Sequence, residues 1–137
     1  MNWYSMLDFF LGKPVYEKRT VSYGKKRFKV EVADSVRKRM KGLMGRAGLP
    51  RDGGMLFIFG APGRYGFWMA GMKFGIDIIW LDRNGSVVHI ARNARPCASM
   101  IGCGTITPKR DAIYVLELVA GTGKKLGIRI GSRFSLQ

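Results

Sequence analysis

Residues 76–91 read IDIIWLDRNGSVVHIA, from Ile76 to Ala91. Two short apolar runs, Ile76 to Leu81 and Ser86 to Ala91, flank Asp82-Arg83-Asn84-Gly85. Asn84 and Gly85 both tolerate positive φ, so the pattern predicts two strands joined by a close hairpin turn. Within the first strand every residue but one is apolar, and the exception is a carboxylate, Asp77.

The same punctuation extends in both directions. Toward the N-terminus, Thr20 to Tyr23 and Arg27 to Val32 flank a Gly24-Lys25 turn, and Phe28, Val30 and Val32 alternate with Lys29 and Glu31. That alternation predicts a strand with one wet face. Asp34 or Ser35 caps a predicted helix through about Met44, with Val36, Met40, Leu43 and Met44 as its apolar stripe and Gly45 as a left-handed stop. Met55 to Phe59 reads as a short buried strand between two turns, Arg51 to Gly54 and Gly60 to Gly63. Toward the C-terminus a long loop, Arg92 to Arg110, precedes a buried strand from Ile113 to Val119 and a short helix from Gly121 to Leu126. Short strands, close turns and one or two short helices predict a mainly β fold, at the margin of α+β: a compact antiparallel β-sandwich or partly open barrel.

A chain of 137 residues with 47% hydrophobic content suits one globular domain. Residues 1–19 read as an N-terminal extension and residues 20–137 as a single β-rich domain. Trp3, Leu7 and Phe10 form one face of a short helix, suited to docking on the domain or on a membrane surface. The extension lacks a basic n-region and a small-residue cleavage site, so a cytoplasmic or membrane-surface location is expected over secretion. No run approaches the roughly 20 apolar residues of a membrane-spanning helix.

The net charge is +15, from 24 Lys and Arg against 9 Asp and Glu. Basic residues crowd the span from Lys18 to Arg46, where only Glu31 and Asp34 oppose them. Lys25, Lys26, Arg27, Arg37, Lys38, Arg39 and Lys41 are the candidate contacts to a polyanion, either nucleic acid or an anionic membrane surface. The competing reading is a solvated basic face.

Several segments together carry a resemblance. They are Val30 to Asp34, Gly42 to Arg46, Gly54 to Phe57, Phe67-Trp68-Met69, Ile76 to Asp82, Tyr114 to Leu118 and Ala120-Gly121-Thr122. In this order they resemble a family of small bacterial and archaeal proteins catalogued as domain of unknown function number one hundred and ninety-two. The resemblance runs from about Phe28 to the C-terminus. It implies a compact, mostly β domain, sometimes at an extracytoplasmic address, and brings no established activity. The chain departs from the family in carrying Arg37, Lys38 and Arg39 early in its helix, and Gly123 where the family has alanine. Relatives also carry a cysteine pair matching Cys97 and Cys103. In an oxidising compartment this pair closes a small loop, worth about 2 kcal/mol. In a reducing one it stays as two thiols.

Asp77 and Glu117 are the residues most suited to chemistry, because each sits in an apolar strand and a buried carboxylate needs a partner or a proton. Three readings compete. Arg46 or backbone N–H groups satisfy the acids structurally. Alternatively, a pocket formed with Arg46, Trp68 and Met69 uses them to orient a polar or cationic ligand. The third reading is an acid/base pair for hydrolysis. The leading expectation is a binding or accessory domain rather than an enzyme, with polyanion binding as the alternative. No cofactor is expected. No metal is expected either, since His89 is the sole histidine and a zinc site would need two ligands beyond the cysteines. Gly121 to Lys125 lacks a complete phosphate-loop motif but opens a helix suited to an anion.

Overall fold

A computed structural model describes residues 3–99 and 101–136. The helix α1 (Trp3–Leu11) precedes the hairpin of β1 (Lys18–Tyr23) and β2 (Lys26–Ala33). After α2 (Val36–Lys41) come β3 (Gly53–Gly63), β4 (Phe67–Trp68), β5 (Ile76–Leu81) and β6 (Val87–Ala94). The chain ends with β7 (Thr105–Ile106), β8 (Ala112–Val119), α3 (Thr122–Leu126) and β9 (Ser135–Leu136). Seven strands form one sheet in the order β6-β5-β8-β3-β2-β1-β9, and β4 pairs with β7 in a two-stranded ribbon.

The sheet curls into a partly open barrel. Val87 N–H donates to Ser132 O and Phe134 N–H to Gly85 O, tying the start of β6 to the segment before β9. β9 pairs in turn with β1. The fold is therefore the mostly β, partly open barrel expected from the turn spacing.

One pair departs from the antiparallel expectation. β2 and β3 run parallel, Val30 opposite Gly54 and Val32 opposite Leu56. Parallel neighbours need a long crossover, which here carries α2. This crossover lays α2 across one face of the sheet and so creates the site described below.

Alternation along the strands divides the interior into two apolar layers. One contains Phe57, Ile76, Ile78, Trp80 and Val115, and is covered by Leu43, just after α2, and by Phe67 and Ile106 of the β4–β7 ribbon. The other, inside the curl, contains Phe28, Val30, Leu56, Ile79, Leu116 and Phe134.

Local differences from the sequence expectations have local causes. α2 is capped by the Ser35 hydroxyl, which accepts from Lys38 N–H, but ends at Gly42 instead of running to Met44. Gly42 adopts φ 51°, and the Phe57 ring lies 3.4 Å from where its Cβ would be, so the chain turns there to pack on β3. The predicted apolar stripe splits as a result. Leu43 and Met44 are buried, whereas Val36 and Met40 are 65% and 57% exposed. Residues 60–63 continue β3 instead of forming a turn, and the register with β8 shifts between Ile58 and Gly63 to accommodate Pro62.

Candidate functional site: a buried acid beneath an apolar cleft

Glu117 occupies the middle of β8, opposite Met55 of β3 and Ile78 of β5. Its parity with Ile113 and Val115 aims it at the layer under α2. It is 4% exposed, and no hydrogen bond or ion pair reaches it among the described residues. Burial pushes its carboxyl from the ordinary 4.5 up to about 8, so at neutral pH it carries a proton.

Above Glu117 opens a cleft of about 570 Å³, within the range that encloses a small organic ligand. Its walls are mostly apolar, with aromatic side chains prominent among them. Phe57 meets Phe67 edge to face at 4.9 Å, and Phe59 stacks on Tyr65 at 3.7 Å. Val36 and Met40 of α2 form the roof, while Trp3 of α1 and Trp68 of β4 also line the space. Arg39 brings a cation to the wall. Its guanidinium lies 5.2 Å from the Phe59 ring centre and donates to Ile58 O at 3.0 Å. The arrangement offers a ligand flat apolar surface, with one protonated carboxyl at the base as the polar anchor.

Asp77 does not join this cleft. It alternates with Ile78 and therefore points to the opposite side of the sheet from Glu117. There it is fully buried. It accepts from Asn93 N–H at 2.8 Å, Gly121 N–H at 3.3 Å and Gly123 N–H at 2.7 Å. These bonds fasten the end of β6 and the start of α3 to β5. They also explain Gly123: a Cβ there would fall 2.8 Å from an Arg92 guanidinium nitrogen and 3.1 Å from Asp77 Oδ2. The anion suited to the start of α3 is thus the protein's own carboxylate.

Arg46 serves neither acid. It forms a two-pronged pair with Glu31, at 3.0 and 2.5 Å, and lies 5.4 Å from the Tyr16 ring centre. The hydrogen bonds to Glu31 hold its guanidinium above its usual pKa range. Trp68 stands 45% exposed at the cleft. Met69 is buried in the core beside it, and Met72 lines the cleft in its place. Of the five residues expected to share a pocket, the structure brings together Trp68 and Glu117.

The basic candidates are largely engaged within the chain. Arg37 and Lys41 both bind Asp8, Lys26 binds Asp52 at 2.5 Å, and Lys38 lies 3.9 Å from Asp34. Lys25 and Arg27, at the β1–β2 hairpin, have no acidic partner among the described residues. Cys97 and Cys103 form a disulfide with Cα atoms 5.8 Å apart. His89 is a strand residue opposite Trp80.

Phe57, Phe59, Tyr65, Phe67 and Arg39 were not among the expected site residues. Four aromatics within eleven residues of a glycine-rich segment were the available signal.

The family model described as "Uncharacterized ACR", domain of unknown function 192, matches residues 18–136. The chain belongs to this family. A structure from Sinorhizobium meliloti 1021, described as "a putative transcription regulator", superposes with a TM-score of 0.82 at 32% identity, covering 91% of this chain and 98% of that one. A protein of unknown function from Novosphingobium aromaticivorans DSM 12444 superposes with a TM-score of 0.75 at 29% identity, covering 88% of this chain and 84% of that one. No curated protein matches the chain. This DUF192 member thus shares its fold with proteins that bring no measured activity to it.

Proposed function

We propose that this protein is a small-molecule-binding domain, without catalytic chemistry of its own, whose ligand enters the cleft over Glu117. The observation that carries this reading is the unpartnered, buried Glu117 carboxyl at the base of an aromatic-walled cavity. A carboxyl without a protein partner among the described residues, reached only through the cleft, is poorly hydrated, and a ligand that hydrogen-bonds to it offsets that cost. The ligand is apolar or aromatic and carries one neutral hydrogen-bonding group, since Glu117 holds its proton and Arg39 and Lys41 line the cleft. Separation of Asp77 and Glu117 onto opposite faces supports binding over a carboxylate-pair hydrolase, which needs both acids in one cleft. The disulfide supports work in an oxidising compartment.

A thermal-shift screen of aromatic amines and alcohols against their unsubstituted hydrocarbon counterparts tests this. Polar-headed compounds are expected to raise the melting temperature of the wild type and to do so much less for Glu117→Leu. Equal shifts in both proteins, or none in either, would overturn the reading.

A second reading is nucleic-acid binding through the hairpin. It is supported by the description of the Sinorhizobium meliloti relative and by the unpaired Lys25 and Arg27. Binding to DNA that weakens with salt and with Lys25→Ala/Arg27→Ala would support it. Absence of binding at low salt would end it.

A further inference from the structure

α1 reverses the usual polarity of a helix on a water-soluble domain. Its inward side carries a charge: Asp8 binds Arg37 at 2.9 Å and also Lys41. Tyr4 packs beside it, its ring 2.9 Å from where a Gly45 Cβ would sit. The outward side carries Met6, Phe9 and Phe10, which are 47%, 74% and 74% exposed. Leu11 and Val15 continue the apolar run at 65% and 85% exposure. A surface helix normally turns its apolar stripe to the core and its charges to water. Two adjacent exposed phenylalanines on a helix anchored by its acid form a contact surface that lacks its partner.

We propose that this outer face of α1 docks the protein on an anionic lipid surface. Charge selects the occupant. Lys13 lies just past Gly12 at the end of α1, and α2 contributes Arg37, Lys38, Arg39 and Lys41. Asp8 offsets only part of this charge, because two cations already share it. Aromatic side chains backed by basic residues combine insertion at the acyl boundary with attraction to acidic headgroups. A second copy of the chain would bring another +15 and be repelled. Lipid docking also needs no cation to be free of internal partners, since net positive potential and apolar insertion suffice. No helix among the described residues is long and apolar enough to cross a membrane, so α1 lies along the interface. Phe9 and Phe10 do not line the Glu117 cleft, so docking through them stands whether or not the cleft binds a ligand.

Co-sedimentation with vesicles tests it. The wild type is expected to bind vesicles of phosphatidylcholine mixed with phosphatidylglycerol, to bind phosphatidylcholine alone far less, and to release as salt rises. Phe9→Ser/Phe10→Ser, with an unchanged unfolding midpoint, is expected to bind at least roughly tenfold more weakly. Phe9→Trp/Phe10→Trp is expected to keep binding. Glu117→Leu is expected to bind like the wild type. No binding to the mixed vesicles, or binding that the double serine variant retains, overturns the proposal. A concentration-dependent dimer lost in that variant assigns the face to a second copy, and DNA binding lost in it assigns the face to nucleic acid. Either result also overturns the proposal.

Discussion

Asp77 and Glu117 stand one register step apart on neighbouring strands and point to opposite sides of the sheet, Asp77 opposite Leu118 and Glu117 opposite Ile78. Their environments are as different as their directions. Asp77 is surrounded by backbone donors, whereas Glu117 faces an apolar cleft.

Opposite mutational effects follow. Asp77→Ala leaves the N–H groups of Asn93, Gly121 and Gly123 without their acceptor inside the protein. At about 1–3 kcal/mol for each unsatisfied buried group, less what water recovers, the expected loss is about 3–5 kcal/mol. Glu117→Gln takes no acceptor away from a protein donor and removes the charge that burial disfavours, so it is expected to be neutral or stabilising at pH 8. Urea denaturation of both variants beside the wild type measures the contrast, and comparable losses would contradict it.

Glu117 also sets a pH dependence. In the unfolded chain it ionises near 4.5, while in the folded protein it keeps its proton up to about 8. Between those values the folded state holds the extra proton, so stability falls as pH rises across the window and levels off above about 8. The full effect is on the order of 5 kcal/mol. In Glu117→Gln this component of the pH profile is expected to vanish, which chemical denaturation at several pH values from 5 to 8.5, roughly spanning the window, would show.

The disulfide closes a small loop next to the site: Cys97 N–H donates to Met69 O at 3.1 Å. With the cysteines six positions apart, loop closure contributes about 2 kcal/mol. Reduction, or Cys97→Ser/Cys103→Ser, is therefore expected to lower the unfolding free energy by about that amount without unfolding the domain. A global collapse of the near-ultraviolet circular dichroism on reduction would show the bond to matter more than its loop length predicts.

What the sequence made legible follows the physics of neighbours. Asn84-Gly85 announced the β5–β6 hairpin because a turn is decided by its own residues. Burial of Asp77 and Glu117 was likewise readable from the apolar residues flanking each. Their relative direction was not. It depends on β8 inserting between β5 and β3, which no local pattern encodes. Of the two partners offered for these acids, backbone N–H groups hold Asp77, while Arg46 binds Glu31 instead, because β2 and the end of the α2 crossover are brought side by side. A pocket at Trp68 and Glu117 was expected, but its aromatic wall and its roof were not, in part because α2 stops at Gly42, where Phe57, distant in sequence, takes the space. The exposed Val36 and Met40 then look like core residues when read as helical periodicity alone.

α1 provides the last test, because one acid, Asp8, makes both of its ion pairs to α2. The Lys41 hydrogen bond, followed by its charge and by Arg37, holds the Asp8 carboxyl below its ordinary 3.8. A lowered pKa means that the docked state gains from ionised Asp8 above the ordinary value and loses that gain as pH falls through the lowered one. Asp8→Asn removes both ion pairs at neutral pH and reproduces the acidic state. In either case α1 is expected to detach while the sheet stays folded, since the contacts of Asp8 lie outside the two apolar layers. The indole N–H resonance of Trp3 moves toward its unstructured position if this holds. If it stays in place in Asp8→Asn, Tyr4 and the Trp3 contact in the cleft are sufficient to hold the helix.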